Sequence, residues 1–180
     1  MKYKISTFFE QVSDTRIDKG KRYSMSQLLS IVIMAIISGE KGLRGIERFS
    51  KMSEPELVKG LKLKHGVPSY GTFHTLFENL NFEELNTAFM NWSKQYVPKN
   101  DQIAIDGKAL KSTLKDGTSS SQTFIMLVNA FSVKTKLVVS QKSFNNGKAN
   151  EGQHVLELLE KLDLSEKIIS MDAGLCEKKF

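Results

Sequence analysis

Two aspartates stand out because each closes a short apolar run. Asp106 ends QIAID (102–106), and Asp172 ends KIISMD (167–172). If these runs are adjacent parallel strands, their terminal carboxylates become neighbours. Two or three carboxylates about one point bind a hard divalent cation, usually Mg2+. Two such ions ~3.5–4 Å apart can activate a water or hydroxyl and stabilise the leaving oxygen in phosphodiester cleavage. Local alternatives stay open for both residues. Asp106-Gly107 is also a hairpin-turn signal, and Asp172 also suits the N-cap of a following helix. Lys108 and Lys111 follow Asp106 closely. They could neutralise backbone phosphates beside the metals without reading sequence, or serve as charged gatekeepers on an edge strand.

The elements that must hold these residues are strands in the second half of the chain. QIAID (102–106), TFIMLVNAFS (123–132) and KLVVSQKS (136–143) are short, apolar and partly β-branched, as strands are. The polar turn 133–136 predicts a hairpin between the second and third, and a Gly- and Ser-rich loop at 115–122 joins the first and second. A helix follows from about Glu151 to Leu162, with Val155, Leu158, Leu159 and Leu162 inward. Asn150 suits its N-cap, and Glu151 is then a first-turn acid favoured by the helix dipole. The run 167–172 is the fourth strand, giving the order β-β-β-α-β.

Helical periodicity dominates the first half. Residues 24–39 open with Ser24 and Ser26 as caps and stop at Gly39. That helix is apolar on nearly every side, as a central bundle helix would be. LRGIERFSKM (43–52) sets Leu43, Ile46 and Phe49 on one side and Arg44, Arg48 and Lys51 on the other. Ser53 opens a third helix running to about Leu63, which Gly66 and Pro68 break. A fourth starts after Ser69, with Phe73, Leu76, Phe77 and Leu80 at helical spacing. A fifth runs from about Phe82 to Tyr96, with Phe82, Leu85, Phe89 and Trp92 on one face and Pro98 ending it. The boundary falls at VPKND (97–101), giving a helical domain over 1–98 and an α/β domain over 99–180, an α+β chain. The third and fourth helices with the HGVPS turn form a candidate helix-turn-helix that would set Tyr70 and His74 in a DNA major groove. The alternative is a helix pair packed for structure only. His74 and His154 also suit a polar surface.

Composition narrows the classes. Hydrophobic residues make up 40% of the 180, enough for a packed core. The formal net charge is +6, and the excess lies early: residues 1–100 carry 15 Lys and Arg against 10 Asp and Glu, whereas residues 101–180 carry 11 against 10. Such a balance suits either a polyanion such as duplex DNA or a lysine-rich solvated surface. The single cysteine, Cys176, excludes an internal disulfide, no paired Cys/His spacing suggests zinc, and a reducing cytoplasm fits. The most apolar run, LLSIVIMAIIS (28–38), would span only ~16 Å as a helix, too short for a bilayer.

The segments IAIDGKALKST (103–113), KANE (148–151) and IISMDAGLCEKKF (168–180) resemble the H-repeat-associated transposases of bacterial insertion sequences, which are of the DDE class. LLSIVIMAIISGEKGLRGIERF (28–49) and HGVPSYGTFHTLF (65–77) resemble the leader domain of the same family. The resemblance implies a ribonuclease H-like catalytic domain with sheet order 3-2-1-4-5, and Mg2+ (or Mn2+) held by Asp106 on strand one and Asp172 on strand four. A Glu on a later helix would complete the set, and Glu151 is a further candidate ligand, since related nucleases carry an acid at that helix start. It also implies duplex DNA as partner, both element ends and target, in a nucleoid-associated cytoplasmic setting. The DNA-contacting candidates in this chain are Tyr70, His74, Arg44, Arg48, Lys108 and Lys111. After the second Asp this chain has Ala173-Gly174, where the family often has a polar or Met-Gly pair. The chain ends before strand five and before the Glu-bearing helix. A front part of a longer enzyme is therefore expected, unable by itself to transpose DNA and prone to self-association through the open edge of strand four. The alternative is a truncated, inactive DNA-binding protein that represses element movement, or a broken reading frame.

Overall fold

In the computed structural model the described residues are 5–18, 21–115, 123–145, 151–160, 162 and 164–172. The chain divides into two compact units, Met1–Trp92 and Ser93–Phe180. The division precedes Pro98 because the short 3-10 turn Lys94–Tyr96 leads into Val97, which packs against the second core.

The first unit is helical: α1 (Ile5–Phe9), α2 (Met25–Ile37), α3 (Gly42–Met52), α4 (Glu54–Leu61), α5 (Tyr70–Asn79) and α6 (Phe82–Ser93). Ser24 starts α2 through a reciprocal capping box: its Oγ accepts from the Gln27 N–H, and the Gln27 Oε1 accepts from the Ser24 N–H. Gln27 also donates Nε2 to the Leu61 carbonyl, satisfying an orphan acceptor at the end of α4. Gly39, at φ 88°, ends α2 in the left-handed region, and the Glu40 N–H reaches back to the Ala35 carbonyl. The middle of α2 is buried, but Ile36 and Ile37 at its end are exposed, so the helix is central only over its first three turns.

Several boundaries differ from the sequence expectation. Helix α4 stops at Leu61, ahead of the Gly66 and Pro68 breakers, because Lys62 itself turns left-handed at φ 54°. Helix α6 ends at Ser93 and tightens into the 3-10 turn Lys94–Tyr96. Phe77 and Phe82 are exposed rather than core, and the buried apolar residues of their helices are Phe73 and Leu76 on α5 and Ala88 on α6.

The second unit carries β1 (Gln102–Lys115), β2 (Thr123–Ser132), β3 (Val138–Asn145), α7 (Glu151–Glu160) and β4 (Ile168–Met171). The strands form one mixed sheet in the order β3-β2-β1-β4, with β1 antiparallel to β2 and parallel to β4. Ile103, Ile105, Val128 and Ala130 point to one face and pack in one core with Val155 and Leu158 of α7. Strand β1 does not turn at Asp106-Gly107. It continues to Lys115 because β2 offers a partner along its length, Gly107 lying opposite Val128 and Leu110 opposite Ile125. The Gly- and Ser-rich loop lies outside the described residues beyond Lys115. No described helix is long and apolar enough to cross a membrane.

Candidate functional site

The parallel pairing of β1 with β4 sets the position of the two aspartates. Ile103 lies opposite Ile169, Ala104 opposite Ser170 and Ile105 opposite Met171. Asp106 and Asp172 are the next residues of the two chains, one step beyond the last pair. Alternation turns Asp106 away from Ile105 and the α7 core to the opposite face, and both aspartates are exposed. Side chains of the two strands do meet on that face, since Gln102 donates Nε2 to the Ser170 Oγ at 3.0 Å. Adjacent strands run ~4.8 Å apart, and the two aspartates follow the last pair of the β1–β4 register. Among the described residues no group of three or more His, Cys, Asp or Glu could hold a metal. A two-carboxylate donor set nevertheless fits Mg2+, which commonly takes one or two protein carboxylates and keeps several waters.

Lys108 lies two residues beyond Asp106 on the same face of β1 and is exposed. Lys111 is in β1 and Glu151 opens α7, but their side chains lie outside the described residues, as do Asn150, Ala173, Gly174 and Cys176. His154 departs from the surface expectation. Its side chain is 13% exposed and stacks on Phe144 with ring centroids 4.0 Å apart. Burial, with the neighbouring Lys142 charge, holds its imidazole below the usual histidine range.

At the start of β1, Asp101 is 1% exposed. Its Oδ1 accepts from the Gln102 N–H at 2.7 Å and the Lys134 N–H at 3.2 Å, and its Oδ2 accepts from the Ser132 hydroxyl. Its carbonyl accepts from the Ile168 N–H at 3.0 Å. This one residue ties the β2–β3 turn and the start of β4 to β1, fixing the strand ends that precede both aspartates. Burial pushes its carboxyl pKa up, but the Ser132 hydroxyl, the two backbone N–H groups and the Lys134 charge outweigh that and hold it below the usual carboxylate value.

In the helical unit, α5 packs against α3. Arg44 and Glu47 of α3 line a cleft of about 260 Å3 together with Tyr70. Ser69 makes no side-chain cap to α5. Glu47 of α3 lies near the Tyr70 backbone N–H at the start of α5. Lys51, whose Nζ lies 3.0 Å from Glu47, holds that carboxyl below its ordinary range, aided by the Tyr70 N–H and the Arg44 charge. Tyr70 and His74 are exposed on one side of α5, their rings 6.1 Å apart, and His74 Nδ1 lies 3.1 Å from Glu78 Oε2. Arg48 is paired with Glu40. Arg44, Tyr70 and His74 thus gather at the α3–α5 junction, while Arg48 is engaged by Glu40 further along α3.

Residues 6–93 match the family model described as DDE_Tnp_1-associated. The chain is 31% identical over 175 residues to an uncharacterised protein in the dhlA 3′ region of Xanthobacter autotrophicus, covering 95% of this chain and 58% of that one. It is 31% identical over 158 residues to the H repeat-associated putative transposase YhhI of Escherichia coli K12, covering 87% of this chain and 41% of YhhI. It is 31% identical over 159 residues to the H repeat-associated putative transposase YbfD of the same strain, covering 87% and 61%. Residues 6–93 thus carry the DDE_Tnp_1-associated domain, and most of the chain is similar to H repeat-associated putative transposases. The chain spans about half the length of these relatives, from 41% to 61%. No solved structure matches it.

Proposed function

We propose that this chain contributes the DNA-holding and metal-holding parts of a DDE-type transposase that moves an insertion sequence. In this reading the second unit is a ribonuclease H-like catalytic domain, and Asp106 and Asp172 hold Mg2+ or Mn2+. The observation that carries the reading is the β1–β4 register, in which both aspartates follow directly on the Ile105–Met171 pair. The strand order β3-β2-β1-β4 supports it, being the first four strands of a 3-2-1-4-5 sheet. When bound, the ion supplies activation of a water or hydroxyl and stabilisation of the leaving oxygen. The chain's own part is to hold the two carboxylates at the ends of adjacent parallel strands, both exposed to solvent. Lys108, on the same face, adds positive charge for the DNA backbone. A third carboxylate completing the set would come from Glu151 or from a helix elsewhere in the longer relatives.

The helical unit is read as the duplex-binding part, with Arg44, Tyr70 and His74 at the α3–α5 junction as contacts. Phosphate neutralisation releases counterions, so affinity should fall steeply as salt rises. Duplex binding by the 180-residue chain, measured at a series of salt concentrations, is expected to show that slope, and Arg44→Ala should make it shallower by about one phosphate contact. No detectable binding at low salt would contradict this part of the proposal.

A further inference from the structure

The face of the sheet that carries Asp106 holds a second feature at the same level. Asp106 of β1 lies opposite Asn129 of β2, and Asn129 lies opposite Gln141 of β3. Residues directly opposite one another share a face, with Cβ atoms ~4.5–5.5 Å apart. The row reads Asp106, Asn129, Gln141 across β1, β2 and β3, and Asp172 follows directly on the last residue of β4. The two amides are joined: Gln141 donates Nε2 to the Asn129 Oδ1 at 2.8 Å. That bond engages the oxygen end of the Asn129 amide on β3, so Nδ2 is the end of the amide that remains to serve Asp106 on the neighbouring strand. Asn129 is half-buried, as is Gln141, so the bond is shielded from competing water.

We infer that Asn129, held by Gln141, is a positioning residue for a divalent cation bound at Asp106 and Asp172. Its Nδ2 donates to the Asp106 carboxylate or to a water on the ion, fixing which carboxylate oxygen is offered to the metal. The inference rests on the metal-binding reading of the two aspartates and names a partner that local sequence spacing does not reveal. The physical case is that Mg2+ and Mn2+ held by few protein ligands keep several waters. Those waters and the ligating carboxylates need outer hydrogen bonds, whose loss typically weakens metal affinity 10- to 100-fold. Gln141 acts one step further out, since without it the Asn129 amide is free to rotate and present its oxygen to Asp106.

The test is Mn2+ binding to the full 180-residue chain, followed by the loss of the free-ion electron paramagnetic resonance signal, with circular dichroism showing each variant folded. Asn129→Ala is expected to weaken Mn2+ binding about tenfold or more. Gln141→Leu should weaken it in the same direction, and the double variant should be no weaker than Asn129→Ala alone, the non-additivity of one coupled unit. Asn129→Asp keeps the acceptor for Gln141 and adds a third carboxylate at the same level, so it should bind more tightly than the wild type. A purely structural role for the amide pair would move none of these affinities. If Asp106→Asn loses Mn2+ while Asn129→Ala and Gln141→Leu bind like the wild type, the inference is overturned and the metal reading stands. If the wild type binds no Mn2+ saturably, both are overturned.

Discussion

Phe73→Ala is expected to destabilise the helical unit by about 3–5 kcal/mol, the range for truncating a fully buried aromatic. Phe73 is 0% exposed on α5 and belongs to one core with Leu28, Ile31, Ile46 and Leu76. Removing the ring leaves a cavity in that core. Phe77, one turn along the same helix, is 43% exposed, and Phe77→Ala should cost less than about 1 kcal/mol, as surface changes do. Urea unfolding of both variants compares the two directly. Equal losses would mean that Phe77 is buried with Phe73 and that the core runs a turn further along α5.

Asp101→Ala is expected to cost the sheet unit about 2–4 kcal/mol, because the Ser132 hydroxyl and the Gln102 and Lys134 N–H groups lose their acceptor together. Each buried donor left unpaired costs about 1–3 kcal/mol, reduced here because Lys134 is exposed and water can reach its end of the network. The same carboxylate gives a signed pH dependence. Its pKa is lower folded than unfolded, so its contribution is fully present above the ordinary value of about 3.9. It is lost as pH falls through the folded value. Stability measured from pH 7 down to about pH 2 should therefore fall less steeply in Asp101→Ala than in the wild type. A parallel fall in both would show that Asp101 is equally protonated in the two states, contrary to its network.

Much of the second unit could be read from local pattern. The β-branched apolar runs locate β2, β3 and β4, and the acid at the end of each short run marks Asp106 and Asp172. The true length of β1 could not be read, because Asp-Gly is a turn signal that a long neighbouring strand overrides: β2 pairs with it as far as Lys115. Periodicity likewise gave the apolar side of α5 and α6 without giving how far the core extends along it. Hence Phe77 and Phe82 are exposed, while the small Ala88 is buried. The groups that position the site depend on long-range partners and leave no local signature. Asp101 holds a turn more than thirty residues away, and Asn129 lies opposite Asp106 only through the β1–β2 register. His154, a polar residue on an amphipathic helix, is buried because Phe144 of β3 lies beneath it.

The central claim is that one divalent ion sits between Asp106 and Asp172, and paramagnetic broadening by Mn2+ tests it most directly. With substoichiometric Mn2+ added to 15N-labelled chain, amide signals of Ile105, Gly107 and Met171 should broaden first. The broadening should be centred on the β1–β4 pair, and Asp106→Asn should remove the effect. Broadening centred elsewhere, or unchanged by Asp106→Asn, would contradict the account.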